Sequence, residues 1–213
     1  YNWNRRANVL YLEGPAGVGF SYGADSVTSD DSTQQEYFRA LLRFYEKFPE
    51  LKDQPMYLSG YGYAGITAPK LALNIINHNR NESTPAWLRM NINGTLLFNP
   101  CTLAEECDSN FEFNSFTVEA LRNNYFISRQ TYDDYRTHCT LRTSACERAE
   151  KKIESDFRVT GADLYNIFKE CLHQPGDIDC LDHTGIDTFL NVGTVKEDLN
   201  ADKSRKWDLC NNT

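Results

Sequence analysis

The chain has 213 residues, of which 40% are hydrophobic and 13% aromatic, and its 22 basic against 30 acidic residues leave a net charge of −8. The 12 Tyr, 12 Phe and 3 Trp exclude a disordered chain, and the acidic balance excludes a general binder of nucleic-acid phosphates, which needs a basic face. No apolar run approaches the roughly 18–20 residues of a membrane span, so an acidic globular chain of one to two domains is expected.

The chain opens Tyr1-Asn2-Trp3-Asn4-Arg5-Arg6, with no initiator Met and no signal-peptide pattern, which leaves open either processing or a start inside a longer protein. Residues 8–12 (Asn8-Val9-Leu10-Tyr11-Leu12) form a short apolar run closed by Glu13-Gly14-Pro15, the pattern of a buried parallel strand. Residues 13–33 read as loop. Ser32 with Gln35 resembles a capping box, and Tyr37, Phe38, Leu41, Leu42, Tyr45 and Phe48 follow at helical spacing until Pro49. A second strand is expected at residues 55–59, stopped by Gly60, then a helix near 64–78 and a third strand at 91–98. Strand, helix, strand, helix, strand spells two crossover units, hence an α/β architecture with a parallel sheet and right-handed connections. Beyond residue 100 the cysteines and charges concentrate, with helix-compatible stretches at 116–123 and 146–155 and no clean strand alternation. A disulfide-braced helical insertion is expected there, followed by a short helix at 186–199.

The seven cysteines are Cys101, Cys107, Cys139, Cys146, Cys171, Cys180 and Cys210, and three N-glycosylation sequons begin at Asn81, Asn93 and Asn211. Together they point to the secretory pathway rather than to a reduced cytosolic protein with buried thiols. An odd count implies a free thiol or a partner outside the chain, and Cys210, which stands apart, is the expected one. Cys171, His173, Cys180 and His183 are four potential zinc ligands, but their C-x-H-x6-C-x2-H spacing matches no common zinc motif. No metal and no cofactor is expected.

The sharpest motif is Gly60-Tyr61-Gly62-Tyr63-Ala64-Gly65, placed after one strand and opening one helix. As a dinucleotide fingerprint it sits on the wrong strand of the series. As a nucleophile elbow, G-x-S-x-G, it would put the attacking side chain at position 62, where glycine has none. A second match, Gly19-Phe20-Ser21-Tyr22-Gly23, lies six residues after its strand and runs into a polar loop, so Ser21 reads as a loop serine.

The segments Trp3-Asn4 and Asn8 through Gly14-Pro15-Ala16-Gly17-Val18-Gly19-Phe20-Ser21-Tyr22 closely resemble the serine carboxypeptidases, of the cathepsin A-like type. That family's elbow, G-E-S-Y-A-G with a later proline, is matched by Gly60, Tyr63, Ala64, Gly65 and Pro69. Leu97-Phe98-Asn99, Cys180-Leu181-Asp182, Phe189-Leu190-Asn191 with Val195, and Trp207-Asp208-Leu209-Cys210-Asn211 resemble further family segments. The resemblance covers essentially the whole chain. It implies part of an α/β-hydrolase sheet over residues 1–100, a cap insertion over 101–183 and a return to the core over 184–213. It also implies an acidic-pH peptidase that releases C-terminal residues with a Ser-Asp-His triad in lysosomes, vacuoles or secretions.

The departures fall on the chemistry. Gly62 stands where the family has its nucleophile, and Tyr61 replaces the glutamate that helps bind the substrate's terminal carboxylate. The family's first oxyanion block is expected upstream of Tyr1 and its Asp and His beyond Thr213. None of His78, His138, His173 and His183 occupies a matching position. Tyr63 keeps the place whose backbone N–H serves the oxyanion hole, and Cys210 resembles the cysteine bridged to an upstream partner. The expected function is an inactive homologue that binds a peptide or protein ligand, its missing N- and C-terminal family segments being further partners, with no nucleic acid or membrane involved. The alternative is an active serine carboxypeptidase of which this chain is an internal piece with an altered elbow; an acyltransferase of the same fold would also need the serine. Residues 1–213 alone are expected to aggregate, because strands at both sides of the sheet would be unpaired.

Overall fold

The structure, a computed structural model, describes residues 2–23, 29–102, 113–163, 165–171 and 183–209. It divides into two compact units, Tyr1–Leu103 with Thr184–Thr213, and Ala104–His183.

In the first unit, α1 (Asp30–Lys47) starts at a capping box of Ser29 and Ser32, each hydroxyl accepting the other's backbone N–H at 3.2 and 2.8 Å. The box therefore lies three residues earlier than the expected Ser32–Gln35 pair. The reason is that Asp30 and Asp31 extend the helix into its first turn, where carboxylates favour the positive end of the dipole. The helix ends at Lys47, and Pro49 opens a short 3-10 turn, Pro49–Leu51. β1 (Met56–Tyr61) leads through Gly62 and Tyr63 into α2 (Ala64–Arg80), which crosses back to β2 (Ile92–Phe98). The two strands are parallel, from Met56 opposite Ile92 to Tyr61 opposite Phe98. Leu41, Leu71, Ile75 and Met90 form the buried core of this α/β layer, with Tyr37, Phe38, Leu42 and Tyr45 packed against them.

Residues 8–12 do not form the expected strand. A strand exists by pairing, and an apolar run without a ladder partner stays irregular however suitable its side chains. Val9, Leu10 and Leu12 remain partly exposed. With α1 and β1 they line a cavity of about 530 Å³. Burial pushes the hydroxyl pKa values of Tyr37 and Tyr45, on the same walls, upward.

The last segment of the unit holds α6 (Thr184–Leu190) and α7 (Gly193–Asp198), where a single helix at 186–199 was expected. Asn191 breaks it. Its Nδ2 donates to Asp187 O at 2.8 Å and Trp207 O at 2.7 Å, and its Oδ1 accepts from Trp207 N at 3.0 Å. Trp207 Nε1 in turn donates to Glu13 Oε1 at 2.8 Å, and Glu13 Oε2 accepts from Phe20 N at 2.7 Å. One carboxylate thus ties the loop after residue 12 to the end of the described chain.

The second unit is helical: α3 (Ser115–Asn123), α4 (Arg129–His138) and α5 (Ser144–Arg158). Each begins at a side-chain cap, Asn114, Ser128 and Thr143, that accepts a first-turn N–H. Val118, Leu121, Ile127, Tyr135, Ala149 and Ile153 make the core, and the Tyr135 hydroxyl donates to Phe113 O at 2.8 Å. The disulfide Cys139–Cys146 joins the end of α4 to the first turn of α5. Cys101 and Cys171 are also disulfide-bonded. Cys107, Cys180 and Cys210, and the Cys180-Leu181-Asp182 segment, lie outside the described residues.

Candidate functional site

The elbow joins the C-terminal end of β1 to the N-terminal end of α2. Gly62 has φ +58°, the left-handed region that costs an L residue about 1–2 kcal/mol and costs glycine nothing. Its backbone is held from both sides by the exit of β2. Gly62 N donates to Phe98 O at 3.1 Å, and Cys101 N donates to Gly62 O at 2.8 Å. Asn99, at φ +43°, makes the turn between those two contacts; asparagine is among the residues that tolerate this conformation.

The three glycines of the elbow differ in what surrounds them. A Cβ at Gly60 would stand 2.3 Å from Ala64 Cβ, and one at Gly65 would stand 2.3 Å from Cys101 O and 2.6 Å from Pro100 Cβ. Neither position has room for a side chain. A Cβ at Gly62 would meet nothing within 4 Å. The turn therefore has the anatomy of a nucleophile elbow, two compulsory glycines flanking a left-handed apex with space above it, and no side chain at the apex.

Around the apex, Tyr61 and Tyr63 are exposed. The Tyr63 hydroxyl donates to Asp30 Oδ1 at 2.9 Å, and Lys70 Nζ lies 3.8 Å from Asp30 and 3.4 Å from Asp31. The start of α1 is thereby pinned to the start of α2. Sequence reasoning missed this role of Asp30, although an acidic pair opening a helix was the visible signal. Ala64 and Gly65 begin α2, and its first-turn amides Gly65 N and Ile66 N donate to Gly62 O at 2.9 Å and Tyr63 O at 3.0 Å.

The other sequence candidates lie elsewhere. Ser21 Oγ donates to Glu13 O at 2.6 Å, and residues 22 and 23 after it are irregular. Its hydroxyl is a fastener of the loop. His78, near the far end of α2, contacts Leu88 O at 3.2 Å and packs edge-on against Phe38. His138 is in α4 of the other unit, and His173 lies outside the described residues. Cys171 is bound in a disulfide and so is not available as a zinc thiolate. Among the described residues no group of three or more His, Cys, Asp or Glu is placed to hold a metal. Nor is any described helix long and apolar enough to cross a membrane.

The family profile described as Serine carboxypeptidase matches residues 1–213. The chain belongs to the serine carboxypeptidase family. It is 31% identical over 233 residues to Serine carboxypeptidase-like 36 of Arabidopsis thaliana, covering 99% of this chain and 45% of that protein. It is 32% identical over 257 residues to Lysosomal protective protein of Mus musculus, covering 99% of this chain and 52% of that one. A crystal structure of a prohormone-processing carboxypeptidase from Saccharomyces cerevisiae superposes with a TM-score of 0.65 at 16% identity, over 94% of this chain and 48% of that one. At that identity the likeness speaks for the fold, that of an α/β-hydrolase with part of its parallel sheet. The chain thus spans about half the length of the curated relatives it matches. Position 62, at the apex of this strand-to-helix turn, is glycine.

Proposed function

We propose that this serine carboxypeptidase homologue is not a hydrolase at its elbow and uses the preserved scaffold to bind a peptide or protein ligand. The observation that carries the reading is Gly62. A triad hydrolase without its nucleophile loses turnover on the order of 10⁶, as in a well-studied subtilisin series. Tyr61, in place of the family's glutamate, removes a second group from the same ligand-facing turn. The exposed rings of Tyr61 and Tyr63 suit a peptide that presents an apolar side chain. The oxidised pair Cys139–Cys146 and the relatives' names support a secretory-pathway location, lysosomal, vacuolar or extracellular.

The test is a fluorophosphonate probe on the protein isolated from its natural source, followed by peptide mapping of residues 55–70. The expected outcome is no label on that peptide and no release of C-terminal residues from test peptides at acidic pH. Label in that peptide, or a serine found at position 62, would overturn the reading in favour of an active serine carboxypeptidase.

A further inference from the structure

In the helical unit, α3 closes in a left-handed turn of the Schellman type. Tyr125 N donates to Arg122 O at 3.2 Å and Phe126 N to Leu121 O at 2.9 Å, with Tyr125 at φ +62°. Glycine, and at times asparagine, fills this position in most helices, because a Cβ crowds the backbone in that conformation. The next residue, Phe126, packs against the core and meets Phe157 edge-on at 5.5 Å. The Tyr125 ring gains no such burial and stands 87% exposed. The position thus bears backbone strain and holds a large ring in water, and the fold draws stability from neither.

Beside the ring lies a concavity of about 800 Å³, formed by the end of α3, the first turns of α4 and the later half of α5. Ligand sites commonly enclose roughly 300–1,000 Å³. Its floor is fixed. Thr131, 2% exposed, donates its hydroxyl to Asp156 Oδ2 at 2.6 Å, and Lys152 holds the other oxygen of the same carboxylate. Arg129, also in the lining, pairs with Asp133 at 3.5 Å. Arg122 and Asp134 are left as one cation and one anion without an ion-pair partner among the described residues, and Gln130 adds an exposed amide.

We infer that this concavity binds a neutral oligosaccharide, with Tyr125 as the platform for one sugar ring. The charges around it cancel in pairs, so an ionic ligand gains no net attraction. An apolar ligand would cover Arg122, Gln130 and Asp134 without giving them hydrogen-bond partners. A pyranose meets both halves of the surface. Its hydroxyls accept from the Arg122 guanidinium and the Gln130 amide and donate to the Asp134 carboxylate, while the C–H groups of its flat side meet the electron-rich face of the tyrosine ring. The site lies wholly in the helical unit and is independent of the reading of the elbow.

The experiment titrates the protein from its natural source, and variants made in the same host, with maltotriose, cellotriose, mannotriose and triacetylchitotriose, read by ligand-observed NMR and calorimetry. At least one of these sugars should bind with a micromolar-to-millimolar Kd. Tyr125→Gly should weaken that binding about tenfold or more while Tm stays level or rises, since glycine is relaxed at this φ. Tyr125→Phe should keep the affinity, and Asp134→Asn should lower it several-fold. A merely structural ring would not weaken binding and leave Tm intact on Tyr125→Gly. Failure of every sugar to bind at millimolar concentration, affinity unmoved by Tyr125→Gly, or a fall in Tm on that substitution overturns the proposal. Tighter binding of sialyllactose than of lactose would overturn the neutral class of ligand.

Discussion

The two units solve the problem of burying a core in opposite ways. The helical unit is local: three capped helices within residues 114–158 enclose Val118, Leu121, Tyr135 and Ile153, and a disulfide seven residues long closes the α4–α5 turn. The α/β unit is non-local. Its core draws on Leu41, Leu71, Ile75 and Met90, a carboxylate at residue 13 reaches an indole at residue 207, and residues 8–12 keep apolar side chains in solvent. Capped helices satisfy their own backbone, whereas a two-stranded sheet leaves strand edges that need partners. The unit with the elbow is therefore the one whose stability depends on distant parts of the chain.

That contrast can be broken one unit at a time by hydrogen exchange and thermal unfolding. Ile153→Ala removes a fully buried side chain from the helical core and should cost about 3–4 kcal/mol, lowering protection in α3–α5 while the α/β amides keep theirs. Gly65→Ala should cost about 2–3 kcal/mol with the loss falling on β1, α2 and β2, because the new methyl drives into Cys101 O. Gly62→Ala, three residues before that clash, should cost only about 1–2 kcal/mol, the left-handed backbone strain alone. Equal losses at 62 and 65 would contradict the open apex.

The smallest effect concerns Asp156. Burial pushes its carboxyl pKa up, but hydrogen bonds from Lys152 and Thr131 and the Lys152 charge outweigh that and hold it below the usual aspartate range. A carboxyl whose folded-state pKa is depressed stabilises the fold above its unfolded-state pKa, and that contribution is lost as pH falls through the folded value. Asp156→Asn should therefore destabilise α5 at neutral pH by less than about 1 kcal/mol, since Lys152 is largely exposed, with the difference from wild type vanishing in strong acid. A variant gap that persists or grows in acid would reverse the sign of this assignment.

Much of the fold was readable where one principle acted alone. The helical spacing of Tyr37 to Phe48 specified α1, and the glycine-punctuated run after Ser59 specified a strand-to-helix turn. The readings that shifted were those with two competing signals. Ser32 and Gln35 carry a capping-box pattern, yet Asp30 and Asp31 moved the start of the helix. The helix α4 escaped notice because its sequence, Arg129 to His138, is almost wholly polar, with only Thr131 and Tyr135 buried on its inner face. The elbow was legible as a motif, and the absent side chain at 62 was legible as chemistry. That Gly60 and Gly65 are sterically compulsory while Gly62 is not could come only from the packing of Ala64, Pro100 and Cys101 around them.

By itself the sequence determined the order of α1, β1, α2 and β2, the family resemblance, and the glycine at position 62, because each depends on residue identity and short spacing. The tertiary structure alone decided whether residues 8–12 pair and where Asn191 splits α6 from α7. Those are questions of which distant groups meet, and hydrogen-bond partners tens of residues apart leave no periodic trace in the chain that makes them.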